Sequence, residues 1–374
     1  MKKRWCCLPA LFLLTGCWDT QALHKTKLIT AGGFDYTKNG NVTITASIPQ
    51  SIAPAAGGQT LINQAYSATG HTARQSRVLL DRKVSEQLDV SKNQIIIFGE
   101  DSAKKDIYQL LDVFYRDPKS ALNAKIAVTK GSAKDVISNK YMETESGSTG
   151  IGEYLRDVIK SSEESATVTK ETIQSVCPIM FDPGQDFTLP YIIPLKHTAK
   201  VDGVAVFHGE KMVGTITGPT SVLYVMLTGQ HYTKAMSTTR KISSDKKVKL
   251  NNFTSFKVKK NKRILDVTVS ATGQISVDLQ LKTRVIIIEY PHNNLNTSGE
   301  VEKVEKELSA TLTKESQKIV AKLQKMNADT FGIGRELMAF HYPFWKKLDW
   351  EKEYPKIPIH TKVDITVIGH GIIE

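Results

Sequence analysis

From Glu300 to Met326 the chain reads as one long amphipathic helix, and this run constrains the fold more than any other. Val301, Val304, Leu308, Leu312, Ile319, Leu323 and Met326 share a stripe at helical spacing, while Lys and Glu fill the other faces. A stripe of that length needs a broad apolar surface to lie on. Gln274–Tyr290 offers one, with Ile275, Val277, Leu279 and Leu281 alternating before the run Val285–Ile288. Lys246–Lys260 and Ile264–Ser270 read as two further strands, and Ile359, Val363, Ile365 and Val367 line a closing one. The C-terminal half is therefore expected to be α+β, an antiparallel sheet covered by the long helix.

The N-terminal half has a different rhythm. Leu28–Phe34 and Asn41–Ile48 read as strands joined through Lys38-Asn39-Gly40, where Asn-Gly suits the positive φ angles of a tight turn. Residues 53–60 and 144–150 have loop compositions. Helices are expected at Ala73–Leu88, around Ile107–Phe114 with Ser102 as its cap, at Ala133–Ile137 and at Ile151–Lys160. Gln94–Phe98 and Ala124–Thr129 suit buried strands, so this half is expected to hold a mixed sheet covered by helices. Prolines 178, 183, 190 and 194 crowd the exit from it, which places a boundary near Lys200. Beyond it, Val201–Phe207 and Met212–Ile216 form a hairpin, and Pro219–Leu227 a short apolar helix.

The extreme N-terminus carries an address. Lys2, Lys3 and Arg4 precede roughly ten apolar residues, a secretory signal pattern far short of the roughly 20 residues a spanning helix needs. The run ends on Leu14-Thr15-Gly16-Cys17, the lipobox pattern of bacterial lipoproteins. There a thiolate accepts a diacylglyceryl group, and the Gly16–Cys17 bond is then cut between small residues. The domain plan is thus residues 1–16 as a removed signal peptide, 17–199 as an α/β region, and 200–374 as the α+β domain. No later stretch is apolar enough to span a bilayer.

Charge and cysteine content narrow the function. The chain carries +12, of which the leader takes three charges, leaving +9 on the mature form. For an exported lipoprotein that balance suits anionic lipid headgroups and not nucleic acid. Cys6 and Cys7 leave with the leader and Cys17 is acylated, so Cys177 stands alone and no intrachain disulfide is possible. Beside Pro178 it reads as a small buried hydrophobe. The histidines show no zinc spacing, Gly332-Ile333-Gly334 lacks the Lys-Ser/Thr of a phosphate loop, and no nucleophile elbow is present. Glu163-Glu164 reads as a solvated pair. No catalytic residue, metal site or cofactor is expected beyond the covalent lipid on Cys17.

Several runs together resemble the Ger(x)C family, the lipoprotein C subunits of spore germinant receptors. They are Gly16-Cys17-Trp18-Asp19; Val201–Phe207 followed by Lys211-Met212-Val213-Gly214; Ala328–Gly334; and Tyr342–Leu348 with Asp349-Trp350 and Gly369. Ala31-Gly32-Gly33-Phe34-Asp35 departs from the family's usual Gly-Ile-Asp. The resemblance implies a non-enzymatic subunit that assembles with integral-membrane A and B subunits on the outer face of the spore inner membrane. It also makes direct nutrient binding unexpected, and it implies that the N-terminal region 17–199 is divisible into two subdomains. The alternative is an extracytoplasmic solute-binding lipoprotein that takes the nutrient itself.

Phe331, Phe340, Tyr342, Phe344, Trp345 and Trp350 form an aromatic group behind the long helix. A local core that locks the helix end onto the sheet is the favoured reading. The second is a partner-docking surface carried by Tyr342, Phe344, Trp345 and Trp350.

Overall fold

The computed structural model describes residues 26–52, 60–139, 142, 150–230, 236–242, 250–292, 295 and 297–370. Cys17, Gly16 and the leader lie outside the described residues, as do most of the loops expected at 53–60 and 144–150. Among the described residues, no helix is long and apolar enough to cross a membrane.

The first half contains β1 (Thr26–Leu28), β2 (Ala31–Tyr36), β3 (Val42–Ile52), β4 (Thr60–Gly70), α1 (Ala73–Asp81), β5 (Gln87–Asp89), β6 (Ile95–Gly99), α2 (Glu100–Ala103), α3 (Tyr108–Arg116), β7 (Lys125–Thr129), α4 (Ala133–Ile137), α5 (Ile151–Glu164), α6 (Ile173–Met180) and β8 (Thr188–Pro194). The second contains β9 (Ala199–His208), β10 (Lys211–Thr217), α7 (Pro219–Thr228), β11 (Ser237–Lys241), β12 (Phe253–Val269), β13 (Ile275–Glu289), α8 (Ser298–Lys325), α9 (Ile333–Phe340), α10 (Tyr342–Trp345), α11 (Trp350–Glu353) and β14 (Ile359–Gly369).

An eight-stranded mixed sheet runs β10-β9-β8-β7-β6-β2-β3-β4. Its centre is β6, whose five residues Ile95–Gly99 are all buried because helices cover both faces. Alternation sends Ile95 and Ile97 into one core and Ile96 and Phe98 into the other. The sheet does not stop at the boundary expected near Lys200. Strands β9 and β10 lie beyond that point and complete one edge of it.

Val204 and Val206 on β9 face the same core as α7, α8 and the second sheet. Helix α7 is enclosed from Ser221 to Leu227, as expected of a helix that is apolar all round. Pro219 opens it, and Gly229, at φ 75°, closes it in the left-handed conformation that glycine tolerates. One continuous apolar core thus welds the two halves.

The second sheet runs β11-β12-β13-β14, antiparallel except for the final β13–β14 pair, which is parallel. Helix α8 buries Val304, Leu308, Leu312, Ile319, Val320 and Leu323 against it. It also closes the sheet edge. Glu305, Ser309 and Thr313, one helical turn apart, accept the outward N–H groups of Val367, Ile365 and Val363 at 2.7, 3.0 and 3.0 Å. The helix therefore covers an edge that would otherwise present unpaired donors.

Several local expectations change. Strand β4 (TLINQAYSATG) scatters its few large apolar residues, so its sequence carries no strand alternation; pairing along β3 makes it a strand. The helix expected over 73–88 stops at Asp81, and β5 follows. Ser102 does not cap α3: its Oγ accepts from Tyr36 N–H, and Asp106 Oδ1 accepts from Tyr108 N–H at the helix start. The two strands expected over 246–270 are one, β12, bent by bulges.

Candidate functional site

The run Ala328–Gly334 forms the joint between the halves. After α8 the chain turns through Asn327, at φ 52°, and Gly332, at φ 70°. Asp329, 2 % exposed, accepts the N–H groups of Ile333 at 3.0 Å and Gly334 at 2.8 Å, satisfying the start of α9. Burial pushes its carboxyl up to about 7 although these two donors pull the other way, and the nearby Asp186 adds to the rise.

Asp186 comes from the loop between α6 and β8. Its Oδ2 accepts Asp329 N–H at 2.8 Å and its Oδ1 accepts Gly209 N–H at 2.9 Å. His208 bridges Asp186 at 3.2 Å and Glu351 at 2.9 Å. The Asp186 hydrogen bond, reinforced by the charges of Asp186 and Glu351, raises the imidazole above its ordinary value. Arg335 donates its N–H to Gly184 O and pairs with Asp182 at 3.2 Å. Gly334 lies against Gly184 so closely that a Cβ would sit 2.8 Å from the Gly184 Cα, and equally close to the Trp350 ring. The turn and packing reading of Gly332 and Gly334 therefore holds.

A polar groove of about 380 Å³ opens over this joint, lined by Asp182, Gln185, His208, Lys211, Asn327 and Trp350 among others. Asp182, Asp186, Asp329, Glu351 and the His208 imidazole are engaged in holding the backbone and neighbouring side chains. That arrangement makes a latch, with no activated nucleophile in it. Among the described residues no group of three or more His, Cys, Asp or Glu is placed to hold a metal ion.

The aromatic group divides. Phe331 is buried against Tyr224, with ring centroids 5.9 Å apart. Trp345, Trp350 and Tyr354 form a chain of tilted rings with centroids 5.5 and 5.6 Å apart, and the buried Tyr354 donates its hydroxyl to Ala328 O at 3.0 Å. Phe344 is half-buried, within reach of Gly273. Phe340 and Tyr342 are 75 % and 50 % exposed, and Lys346 caps the Tyr342 ring at 4.7 Å. The core reading thus describes Phe331 and the inner sides of Trp345 and Trp350, while Phe340 and Tyr342 face outward. Trp345, Trp350, Tyr342 and Phe344 lie close in sequence, so their grouping was legible. The roles of Asp186 and His208 were not, because only folding brings their loops to Asp329.

Three other positions need comment. Glu163 is not solvated: it is 4 % exposed and paired with Lys125 at 2.7 Å, and burial raises its carboxyl. Cys177 is half-buried on α6 and not fully enclosed. Asp35 departs from no local logic: it accepts from Ala133 N–H, Lys134 N–H and the Ser132 hydroxyl, capping α4. Gly33, two residues before it, leaves room for Ile137, whose Cδ1 would lie 2.7 Å from a Cβ there.

The first half also holds a cavity of about 290 Å³ between the sheet and helices α1 and α3. Phe34, Ile44 and Ile96 line it, and Arg74 reaches Asp117 at 3.6 Å in its wall. Asn93, 6 % exposed, belongs to the lining and its Oδ1 has no partner.

A chain whose two halves are joined by such a latch can be placed by comparison. The family model described as Spore germination protein N-terminal domain matches residues 19–194, and the one described as Spore germination B3/GerAC like, C-terminal, matches residues 202–371. Spore germination protein GerQC of Bacillus cereus is 23 % identical over the full length of both chains. Spore germination protein KC of Bacillus subtilis (strain 168) is also 23 % identical, over 99 % of this chain and 97 % of its own. The crystal structure of the GerBC protein superposes with a TM-score of 0.58 at 15 % identity, covering 90 % of this chain and 96 % of that one, and so shares the fold. The chain belongs to the Ger(x)C family of spore germination proteins, and its role is in spore germination.

Proposed function

We propose that this chain is the lipid-anchored C subunit of a nutrient germinant receptor. The reading is carried by the family match from residue 19 to residue 371 together with the lipobox ending at Cys17. Acylated Cys17 tethers the mature protein to the outer face of the spore inner membrane. Burial of acyl carbons contributes about 0.8 kcal/mol per CH₂, and two chains hold where one binds marginally. The welded halves then offer a rigid body to the integral-membrane A and B subunits, with Tyr342 and its aromatic neighbours as the contact. The subunit acts by assembly and performs no catalysis, and the nutrient is sensed elsewhere in the complex.

The test is a Cys17→Ala strain assayed for nutrient-triggered germination and for co-purification of the A and B subunits. Loss of both the germination response and the co-purification is expected; a normal response with an unanchored chain would overturn the reading. The solute-binding alternative draws on the cavity holding Asn93. Calorimetry of the chain with nutrient germinants is expected to give no heat, and tight binding by this chain alone would favour the alternative.

A further inference from the structure

The second sheet has one face against α7, α8 and α9 and another that no described element covers. On that outer face the register of β12 and β13 sets Lys260 opposite Arg284 and Lys262 opposite Lys282. All four side chains are exposed, and none forms an ion pair within the described residues. Like charges directly opposed across a sheet cost stability, so a free surface gains nothing from this arrangement. Lys257 and Lys362 flank the four, and one carboxylate, Asp364, stands beside Lys282. Asp364 is already engaged by Lys362 at 3.0 Å and Gln280 at 2.6 Å. Asp266 and Asp278 face each other farther along the strands, beyond the Ile264–Gln280 row. The exposed side of α8 is different, for there Lys and Glu are interspersed.

Two aliphatic side chains break the surface at the cationic end: Ile288 is 54 % exposed and Ile368 is 51 % exposed. A broad, open face with clustered cations and exposed aliphatics at its edge matches a headgroup layer, where anionic phosphates meet the cations and aliphatic tips reach the acyl boundary. We infer that the outer face of the β12–β13–β14 sheet is a binding surface for anionic phospholipid, which lays the C-terminal half against the bilayer. The inference rests on the membrane-associated reading above, but not on acylation of Cys17. The cations act through charge and the sheet acts through shape.

The test uses the full chain carrying Cys17→Ala, so that no acyl chain contributes, with vesicles of phosphatidylcholine alone or mixed with phosphatidylglycerol. The expected preference for the anionic vesicles is at least about tenfold, falling steeply with salt. A variant with Lys260→Gln, Lys262→Gln, Lys282→Gln and Arg284→Gln should lose that preference. Gln replacement of Lys314, Lys318, Lys322 and Lys325 on α8 should keep it. Equal loss in the two variants, or retention in the first, overturns the proposal. Amine labelling of the unsubstituted face provides a second arm independent of folding in the variants. Anionic vesicles should shield Lys260, Lys262 and Lys282 while leaving Lys318 and Lys322 reactive, and uniform labelling overturns the proposal. If the first variant keeps its lipid preference but loses the membrane subunits, the face binds an acidic protein and the lipid inference fails. A normal germination response in the Cys17→Ala strain would instead strike the anchored-subunit reading and leave the vesicle result standing.

Discussion

Asp186 and Asp329, 143 residues apart, hold each other through two hydrogen bonds: Asp329 N–H donates to Asp186 Oδ2 at 2.8 Å, and Asp186 N–H donates to Asp329 O at 2.9 Å. Each also organises its own surroundings, Asp186 through Gly209 and His208, and Asp329 through Ile333 and Gly334. The pair is the polar counterpart of the shared apolar core. Replacing Asp186 by Ala leaves Asp329 N–H and Gly209 N–H without their acceptor. The expected loss is about 3 kcal/mol, since hydrogen bonds to a charged group contribute about 1.5–3 kcal/mol each and do not simply add. Urea unfolding of the parent and variant chains measures it; an unchanged midpoint would remove the latch from the account.

The same joint gives stability a pH dependence. His208 titrates above its ordinary 6.5 in the folded chain, so its contribution is complete below that value and is lost as pH rises through the raised one. Asp329 acts with the same sign, because its folded carboxyl, raised from 3.8 to about 7, keeps a proton that the unfolded chain has released. His208→Gln should therefore cost most near about pH 5.5 and progressively less towards about pH 8.5. Melting curves across that window check the trend, and a constant difference would mean that the imidazole charge is not involved.

At the edge of the second sheet, Ser309→Ala and Thr313→Val each strand one N–H of β14 beneath α8. An unsatisfied buried donor costs about 1–3 kcal/mol, so each variant should be destabilised by that amount. Faster amide exchange at Ile365 in the first variant and at Val363 in the second would locate the effect. Equal exchange at both in either variant would argue against bond-by-bond coverage.

Gly334→Ala places a methyl group against the Gly184 backbone and the Trp350 ring, neither of which is a flexible side-chain end. Overpacking of this kind costs about 1–3 kcal/mol. Trp350 should move outward, giving a red-shifted tryptophan emission together with a lower melting temperature.

Trp350→Ala and Tyr342→Ala separate packing from docking. Trp350 packs at a tilt against Tyr354 and touches Gly334, so its removal should lower the melting temperature by several degrees, as truncation of a packed aromatic costs about 3 kcal/mol or more. Tyr342 is half exposed, and its loss should change stability by no more than about 0.5 kcal/mol while weakening recovery of the membrane subunits. If recovery is unaffected by Tyr342→Ala, this segment serves the fold alone.

Much of the architecture was legible along the chain, because periodicity is a local signal. The stripe of α8, the apolar run of β6, the hairpin β9–β10 and the Pro219 start of α7 all follow from side-chain spacing and turn chemistry within one segment. The lipobox pattern ending at Cys17 and the aromatic group near Trp345 and Trp350 are likewise written in short stretches. Strand β4 was not legible, since its pattern becomes a strand only against β3. Nor was the burial of Glu163, which depends on Lys125 arriving from β7. The same limit separates Asp186 and His208 from their partners and hides the row of cations that register assembles on β12 and β13. Sequence by itself determined most of the elements and the family. Tertiary structure alone decided which charges are buried in pairs and which are left facing out, because that depends on contacts between residues far apart in the chain.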